Sequence, residues 1–442
     1  MARPLLPLLV GLPLAMRHAP TEAEAGEDVL SEILIVSSST APATVTSPVS
    51  GSERLQVIDV IRGFALFGVI WMNLFVTTRA FMPRAVQAAL PTAPLDRIVG
   101  FLGEWLVEGK AQCLFGVLFG VGFALFTDRV LRRGGDAGRI YRRRLGFLLL
   151  LGLLQLFFLW FGDILHDYAA LGFLLPLVRR WSGRALLATG LLLLLGSEFL
   201  ADQLAGPLVW LDPGLPAPVS VQTSHGAFWN ALSDGDYRSM VTTGFQRVLR
   251  NYGRVDSVIS TWGPIAGQFL IGAWIYRQGW LQKPAAHEAA TRRAVSLLLP
   301  SGLALSLAAI LARQAAHGAV AETLAGLLNT IATPWLAAGY GALLAILCGA
   351  RPNGWAVRGI AAFGRMALTN YVSQSLFYLL VFDGFGLGLV RRSGATADLA
   401  MACGLFAVQV AVSLWWLRHF RFGALEWVWR SATYGRWQPF RA

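Results

Sequence analysis

The chain has 442 residues and a mass of 47.9 kDa, a length that in a soluble protein would divide into two to four domains. Hydrophobic residues make up 55%, charged residues only 14%, and the mean hydropathy is +0.55. A soluble chain carries about 25% charged residues to cover its surface, and several apolar runs here reach the ~20 residues that cross a ~30 Å hydrocarbon core. A secreted disulfide scaffold, a disordered chain and an ordinary cytosolic enzyme are therefore excluded.

The formal charge of +12 does not point to nucleic acid. Lys110 and Lys283 are the only lysines, and the arginines sit in short loops between apolar runs, without the aromatic-interleaved basic stripe of a nucleic-acid binder. Arginine-rich short loops are what the positive-inside rule produces. The partner implied is a lipid bilayer. Cys113, Cys348 and Cys403 fall in apolar runs at no metal-like spacing and read as packing residues.

In chain order, residues 1–54 differ from the rest. A short apolar stretch broken by Pro7 and Pro13 precedes an acidic patch and a Ser/Thr/Ala/Pro run. The start resembles a signal peptide, but cleavage would invert every later span, so a disordered cytoplasmic leader is expected. Residues 55–442 read as one all-α transmembrane helix bundle of about ten spans. They fall at 57–78, 110–127, 145–162, 164–177, 185–201, 258–280, 295–312, 324–348, 361–382 and 400–417. Arg129, Arg132, Arg133, Arg139, Arg142, Arg143 and Arg144 crowd one short connection. Placing that connection in the cytoplasm puts both termini inside and the loop 206–256 outside. Residues 95–106 are too polar to span but carry apolar residues at helical spacing, which predicts an outer interfacial helix. The tail 418–442 reads as cytoplasmic, its 422–437 stretch an interfacial helix anchored by Trp427, Trp429, Tyr434 and Trp437.

An ionisable group in hydrocarbon costs at least ~2.5–3.5 kcal/mol, so polar residues within spans are the functional candidates. The first span carries Asp59, Arg62 and Asn73; Asp59 lies three residues before Arg62, and Asn73 falls eleven after it, on the same helix face. Snorkelling to the interfaces is the alternative. Asp163, His166 and Asp167 share a face if helical, so a carboxylate can orient the imidazole as a general base; the alternative is a solvated outer turn. Asn370 and Gln374 are spaced four apart beside Tyr371 in the ninth span, and Gln155 lies in the third. Buried amides need partners, either a lined cavity or a neighbouring helix. Lys110 opens the second span and can simply snorkel. No phosphate-cradling GxxxxGK[ST], HExxH, CxxC or GxSxG occurs, so neither an ATP-driven pump nor a metal site is expected.

Several blocks together resemble the YeiB-like family, the domain of unknown function 418. They are Ile58-Asp59-Val60-Ile61-Arg62-Gly63-Phe64-Ala65-Leu66, Gly109-Lys110 with Leu118-Phe119-Gly120, and Gly162-Asp163-Ile164-Leu165 with Tyr168-Ala169. Ala367-Leu368-Thr369-Asn370-Tyr371 with Gln374-Ser375, and Leu425-Glu426-Trp427 through Arg430 to Thr433-Tyr434-Gly435, complete the set. The resemblance implies a multi-pass protein of the bacterial cytoplasmic (inner) membrane. More distantly the family is similar to the transmembrane acyltransferases, which take acyl-CoA from the cytoplasm and acylate an acceptor on the far side. In their O-acetylating branch the first-span Arg is followed eleven residues later by a catalytic His; here Arg62 matches and Asn73 stands at the second position.

This implies no bound cofactor, acyl-CoA as co-substrate and an extracytoplasmic glycan or small molecule as acceptor. Asn73, Asp163 and His166 would be catalytic; Asp59, Arg62, Lys110, Gln155, Asn370, Tyr371 and Gln374 would bind substrate. Two other functions fit the same residues. One is a solute or lipid translocator with Asp59, Arg62, Asn370 and Gln374 along a polar path. The other is a non-catalytic membrane subunit whose polar groups hold helices together.

Overall fold

The computed structural model describes residues 55–79, 82, 93–134, 136–204, 221–234, 236–282, 284–315, 318–391 and 393–441. The expected leader over 1–54 and residues 205–220 of the expected outer loop lie outside them. Within the described residues the secondary structure is helical, apart from isolated bridge positions at Arg254 and between Phe420 and Arg441. The helices, in chain order, begin with α1 (Gln56–Arg79), α2 (Pro94–Leu106), α3 (Lys110–Arg132), α4 (Ala137–Phe158) and α5 (Leu165–Gly172). Next come α6 (Gly183–Leu204), α7 (Val221–Ser233), α8 (Tyr237–Tyr252), α9 (Val255–Arg277) and α10 (Glu288–Ala315). The last are α11 (Ala319–Ala350), α12 (Trp355–Arg365), α13 (Ala367–Val381), α14 (Ala395–His419) and α15 (Ala424–Tyr434).

Seven stretches are long and apolar enough to cross a bilayer: Gln56–Phe75, Pro94–Arg132, Gly183–Leu204, Val255–Arg277, Glu288–Ala315, Val320–Ala350 and Ala395–His419. The other three expected spans differ for identifiable reasons. The third is part of α4, whose first turns carry Arg139, Arg142, Arg143 and Arg144. The fourth is mostly the eight-residue α5, about 12 Å long at ~1.5 Å per residue. The ninth breaks at Met366 into α12 and α13, of 11 and 15 residues.

Helix α1 is apolar on most of its faces, the pattern of a helix buried all round. Val60, Ala65, Leu66, Ile70 and Leu74 are all 2% exposed or less, and α1 packs against α3, α11, α12, α13 and α14. Helix α3 joins it to a second cluster, in which Phe123, Tyr141, Leu145, Tyr168 and Phe269 meet. Large apolar side chains on the perimeter face outward instead, among them Leu150, Leu154, Leu192, Phe199, Leu297 and Val408. An apolar belt around a bundle whose polar groups turn inward is the arrangement lipid requires.

The described part of the expected outer loop is largely helical, and the Asp236 carboxylate caps α8 by accepting from Ser239 N at 2.7 Å. Residues 95–106 do form a helix, α2, but it is part of the Pro94–Arg132 stretch counted above; its Trp105 indole donates to the Leu303 carbonyl at 2.9 Å. The tail helix α15, expected at an interface, packs onto the bundle. It docks on α4 and α13, and Trp429 Nε1 donates to the Arg144 carbonyl at 3.0 Å. Cys113 and Cys348 are buried, whereas Cys403 is exposed.

Candidate functional site

Two cavities meet at one turn of the chain. The first is built around the crossing of α1 and α12, which is unusually close because neither helix carries a side chain there. A Cβ on Gly364 would collide with the Asp59 carbonyl, and one on Gly63 with the Ile360 carbonyl. This contact fixes Arg62, whose Nη1 donates to Asp59 Oδ1 at 3.0 Å and to the Gly364 carbonyl at 3.4 Å. Arg62 lines a cavity of about 250 Å³ with Arg144, Arg365, Arg430 and Glu426. Arg144 stacks on the Trp429 ring, 3.7 Å from its centroid, so the tail helix both closes and positions this basic end. Beyond the guanidinium groups the walls are apolar, including Leu66, Val69, Phe115 and Phe119, and Tyr168 and Tyr371 also line the cavity.

The second cavity, about 140 Å³, is lined by Asp163, His166, Arg247, Asn251, Tyr252 and Thr261, with Leu156 and Phe161 among its apolar walls. The turn between α4 and α5 separates the two. Asp163 and His166 face the second cavity, while Ile164 and Leu165 face the first. Gly152 on α4 makes this possible, because a Cβ there would collide with the backbone of His166.

All four acceptor positions of Asp163 are filled. Oδ1 accepts from Gln155 Nε2 and from the Tyr371 hydroxyl, each at 3.0 Å, and Oδ2 accepts from His166 N at 3.0 Å. His166 Nδ1 lies 3.0 Å from the same Oδ2. A carboxylate accepts only, so Nδ1 carries a proton toward it. Nε2 meets the Tyr252 hydroxyl at 2.6 Å. That hydroxyl gives its one proton to Asp167 Oδ1 at 2.5 Å, which also accepts from Trp262 Nε1 at 2.7 Å, so the hydroxyl oxygen accepts from Nε2. The result is a carboxylate-oriented ring, protonated at both nitrogens in this arrangement, whose Nε2 points toward a cavity and becomes a base on releasing its proton.

The sequence candidates fall into three groups. Asp163, His166, Gln155 and Tyr371 come together as one network, and Asp59 and Arg62 belong to the basic cavity. Asn370 and Gln374 sit elsewhere: Asn370 Nδ2 donates to the Phe363 carbonyl and to Ser413 Oγ, and Gln374 Nε2 donates to Gln409 Oε1 at 2.9 Å. These bonds join α13 to α14, and neither residue lines either cavity. Asn73 is hydrogen-bonded to the Tyr378 hydroxyl and lines neither cavity, so the eleven-residue spacing from Arg62 does not bring the two into one pocket. Lys110 is only 1% exposed, with Nζ donating to the Glu104 carbonyl at 3.0 Å, instead of snorkelling. Sequence reasoning missed Tyr252, Trp262 and Arg247, which belong to α8 and α9, and the inward turn of Arg144. Glu426 and Arg430 carried a signal, since both lie in the tail block of the family resemblance.

A family model described as "Protein of unknown function (DUF418)" matches residues 275–436. The chain is 29% identical over 410 residues to the uncharacterized protein YxaH of Bacillus subtilis (strain 168), covering 89% of this chain and 97% of that one. It is 29% identical over 402 residues to the uncharacterized protein YeiB of Escherichia coli (strain K12), covering 86% and 96%. An uncharacterized 39.9 kDa protein of Bacillus acidopullulyticus is 27% identical over 403 residues, with 89% and 97% covered.

Proposed function

We propose that this membrane protein, a YeiB relative with a DUF418 region, transfers an acyl group from cytoplasmic acyl-CoA to a hydroxyl-bearing acceptor outside a bacterial inner membrane. One observation carries the reading: the turn 163–166 is the common wall of a basic, apolar-walled cavity and of a second cavity faced by an oriented imidazole. Arg62, Arg144, Arg365 and Arg430 offer forked donors for the phosphates of CoA, and the apolar walls suit the pantetheine arm and a short acyl chain. Tyr371, bonded to Asp163, ties the first cavity to the base.

In the reaction, His166 Nε2 takes the proton of the acceptor hydroxyl as its oxygen attacks the thioester carbonyl. The C–O bond forms and the C–S bond breaks. The imidazolium, stabilised by Asp163, returns the proton to the departing thiolate, so the products are the ester and free CoA. For this, Tyr252 must leave Nε2, Nε2 must first release its proton, and the 163–166 wall must open so that acceptor and thioester meet. Tyr371, in place of Asn73, is the polar group bordering the thioester's route.

The test is calorimetric binding of CoA and acetyl-CoA to the purified chain in nanodiscs. A hydrogen bond to a charged group contributes about 1.5–3 kcal/mol, so Arg62→Gln and Arg144→Gln should each weaken binding by about 10–100-fold. His166→Ala should keep binding and abolish transfer. Absence of saturable binding by folded protein would overturn the reading in favour of a translocator, measured by liposome uptake. The particular path through Asn370 and Gln374 is not supported, because both are bonded within the α13–α14 contact.

A further inference from the structure

Helix α4 lends Tyr141, Arg144 and Leu148 to the first cavity, at a spacing of three and four residues that puts them on one helix face. The two polar members of this stripe share an apolar neighbour. The Phe126 ring centroid lies 6.0 Å from that of Tyr141 and 5.3 Å from the guanidinium carbon of Arg144. Tyr141 also packs on Phe123, with centroids 4.9 Å apart.

This packing satisfies the ring of Tyr141 but not its hydroxyl. The residue is 4% exposed, and the hydroxyl has no hydrogen-bond partner among the described residues. The other tyrosines on the cavity wall differ: Tyr168 donates to the Gln112 carbonyl and Tyr371 to Asp163, each at 3.0 Å. A buried hydroxyl without a partner is destabilising, and phenylalanine would pack the same ring without that cost. Arg144 is in a similar position. Its guanidinium packs on Trp429 and Phe126, and no hydrogen bond or ion pair joins it to a described residue. Glu426, the carboxylate on the cavity wall, turns its oxygens to Leu368 N and to the N–H and hydroxyl of Thr369. A guanidinium only donates, so a ligand group that meets Arg144 must accept. A group with several accepting oxygens can serve Arg144 and also supply the acceptor that the Tyr141 hydroxyl lacks; phosphate is such a group.

We propose that Tyr141 and Arg144 form a phosphate subsite on the α4 wall of this cavity, the guanidinium meeting one phosphate oxygen and the Tyr141 hydroxyl donating to another. Tyr141 is then a ligand-binding residue as well as a packing one. That the phosphate belongs to CoA rests on the acyl-transfer reading; the subsite itself does not. The phosphate of an anionic lipid headgroup has the same chemistry.

The experiment is equilibrium binding of CoA and of inorganic pyrophosphate to the full-length chain in phosphatidylcholine nanodiscs, with a thermal melt of each variant without added ligand. Tyr141→Phe should weaken both probes by about 10–100-fold, the effect of losing a hydrogen bond to a charged acceptor. The same variant should melt no lower than the wild type, because it loses an unpaired hydroxyl and keeps the ring. Arg144→Gln should weaken both probes as well, and Arg144→Lys should recover part of the loss. Wild-type affinity in Tyr141→Phe would overturn the proposal, as would affinity lost only together with thermal stability, or binding of neither probe to the wild type. Pyrophosphate binding that depends on Tyr141, without CoA binding, keeps the subsite and removes the transfer reading. CoA binding indifferent to Tyr141→Phe does the reverse. Competition by phosphatidylglycerol added to the nanodiscs, relieved in Tyr141→Phe, would assign the subsite to a lipid headgroup, and its absence to a soluble phosphate; both agree with the proposal.

Discussion

Asp163→Asn keeps the shape of a side chain while removing its charge and half of its accepting capacity. The carboxylate serves four donors at 3.0 Å each: Gln155 Nε2, the Tyr371 hydroxyl, and both the backbone N–H and Nδ1 of His166. An amide offers one accepting oxygen, so two of the four donors would face an NH₂ group. A buried donor left unsatisfied costs about 1–3 kcal/mol, which gives a loss of about 2–6 kcal/mol, nearer the low end if the Tyr371 hydroxyl turns away. The ring also loses the acceptor that keeps its proton on Nδ1. The equivalent change in a serine-protease triad costs about 10⁴ in rate through the wrong tautomer. Asp163→Asn should therefore lower the thermal midpoint and slow transfer of labelled acetyl from acetyl-CoA by about 10³–10⁴-fold, while CoA still binds in the arginine-lined cavity. The assay pairs a thermal melt with single-turnover transfer in nanodiscs. Wild-type melting together with a rate within about threefold of wild type would refute the proposed role of Asp163.

Gly152→Leu should be among the more damaging apolar substitutions, because its Cβ alone collides with the His166 backbone; overpacking costs about 1–3 kcal/mol, and transfer should fall further than stability does. The Glu426 carboxylate accepts from Leu368 N and from the Thr369 N–H and hydroxyl, and burial nevertheless raises its pKa above the ordinary 4.5. A carboxyl that holds its proton more tightly when docked stabilises docking fully below its ordinary pKa and loses that contribution as pH rises through the docked value. Protease protection of the tail should accordingly weaken across that window in the wild type, and Glu426→Gln should flatten the profile; identical profiles would contradict this. Gln374→Leu removes one interhelical bond within the bundle and should cost about 0.6–1.7 kcal/mol with no change in CoA affinity, so a tenfold affinity loss would show that Gln374 reaches the ligand after all.

The helical membrane class was legible from composition, because a bilayer imposes its demand on every residue of a span and the signal accumulates along the chain. The Asp59–Arg62 pair and the Asp163–His166 pair were legible for a related reason: each lies within one helical turn, where spacing alone fixes which side chains meet. Span count was less so. Hydropathy registers an apolar run but not a chain break, and it cannot see that Met366 divides one apolar run into α12 and α13.

Tertiary structure decided the rest. Arg142, Arg143 and Arg144 are chemically identical in sequence, yet Arg142 and Arg143 are exposed while Arg144 lines the cavity over Trp429, a residue 285 positions away. Tyr252 lies 86 residues from the imidazole it contacts. Asn370 and Gln374, four residues apart on one face, could have lined a cavity or joined two helices, and only the position of Gln409 and Ser413 on α14 settles which. Sequence by itself determined what must be buried, because the cost of exposing or desolvating a group belongs to that group. It did not determine which buried groups meet, because that depends on where several helices, each satisfied along its own backbone, come to rest against one another.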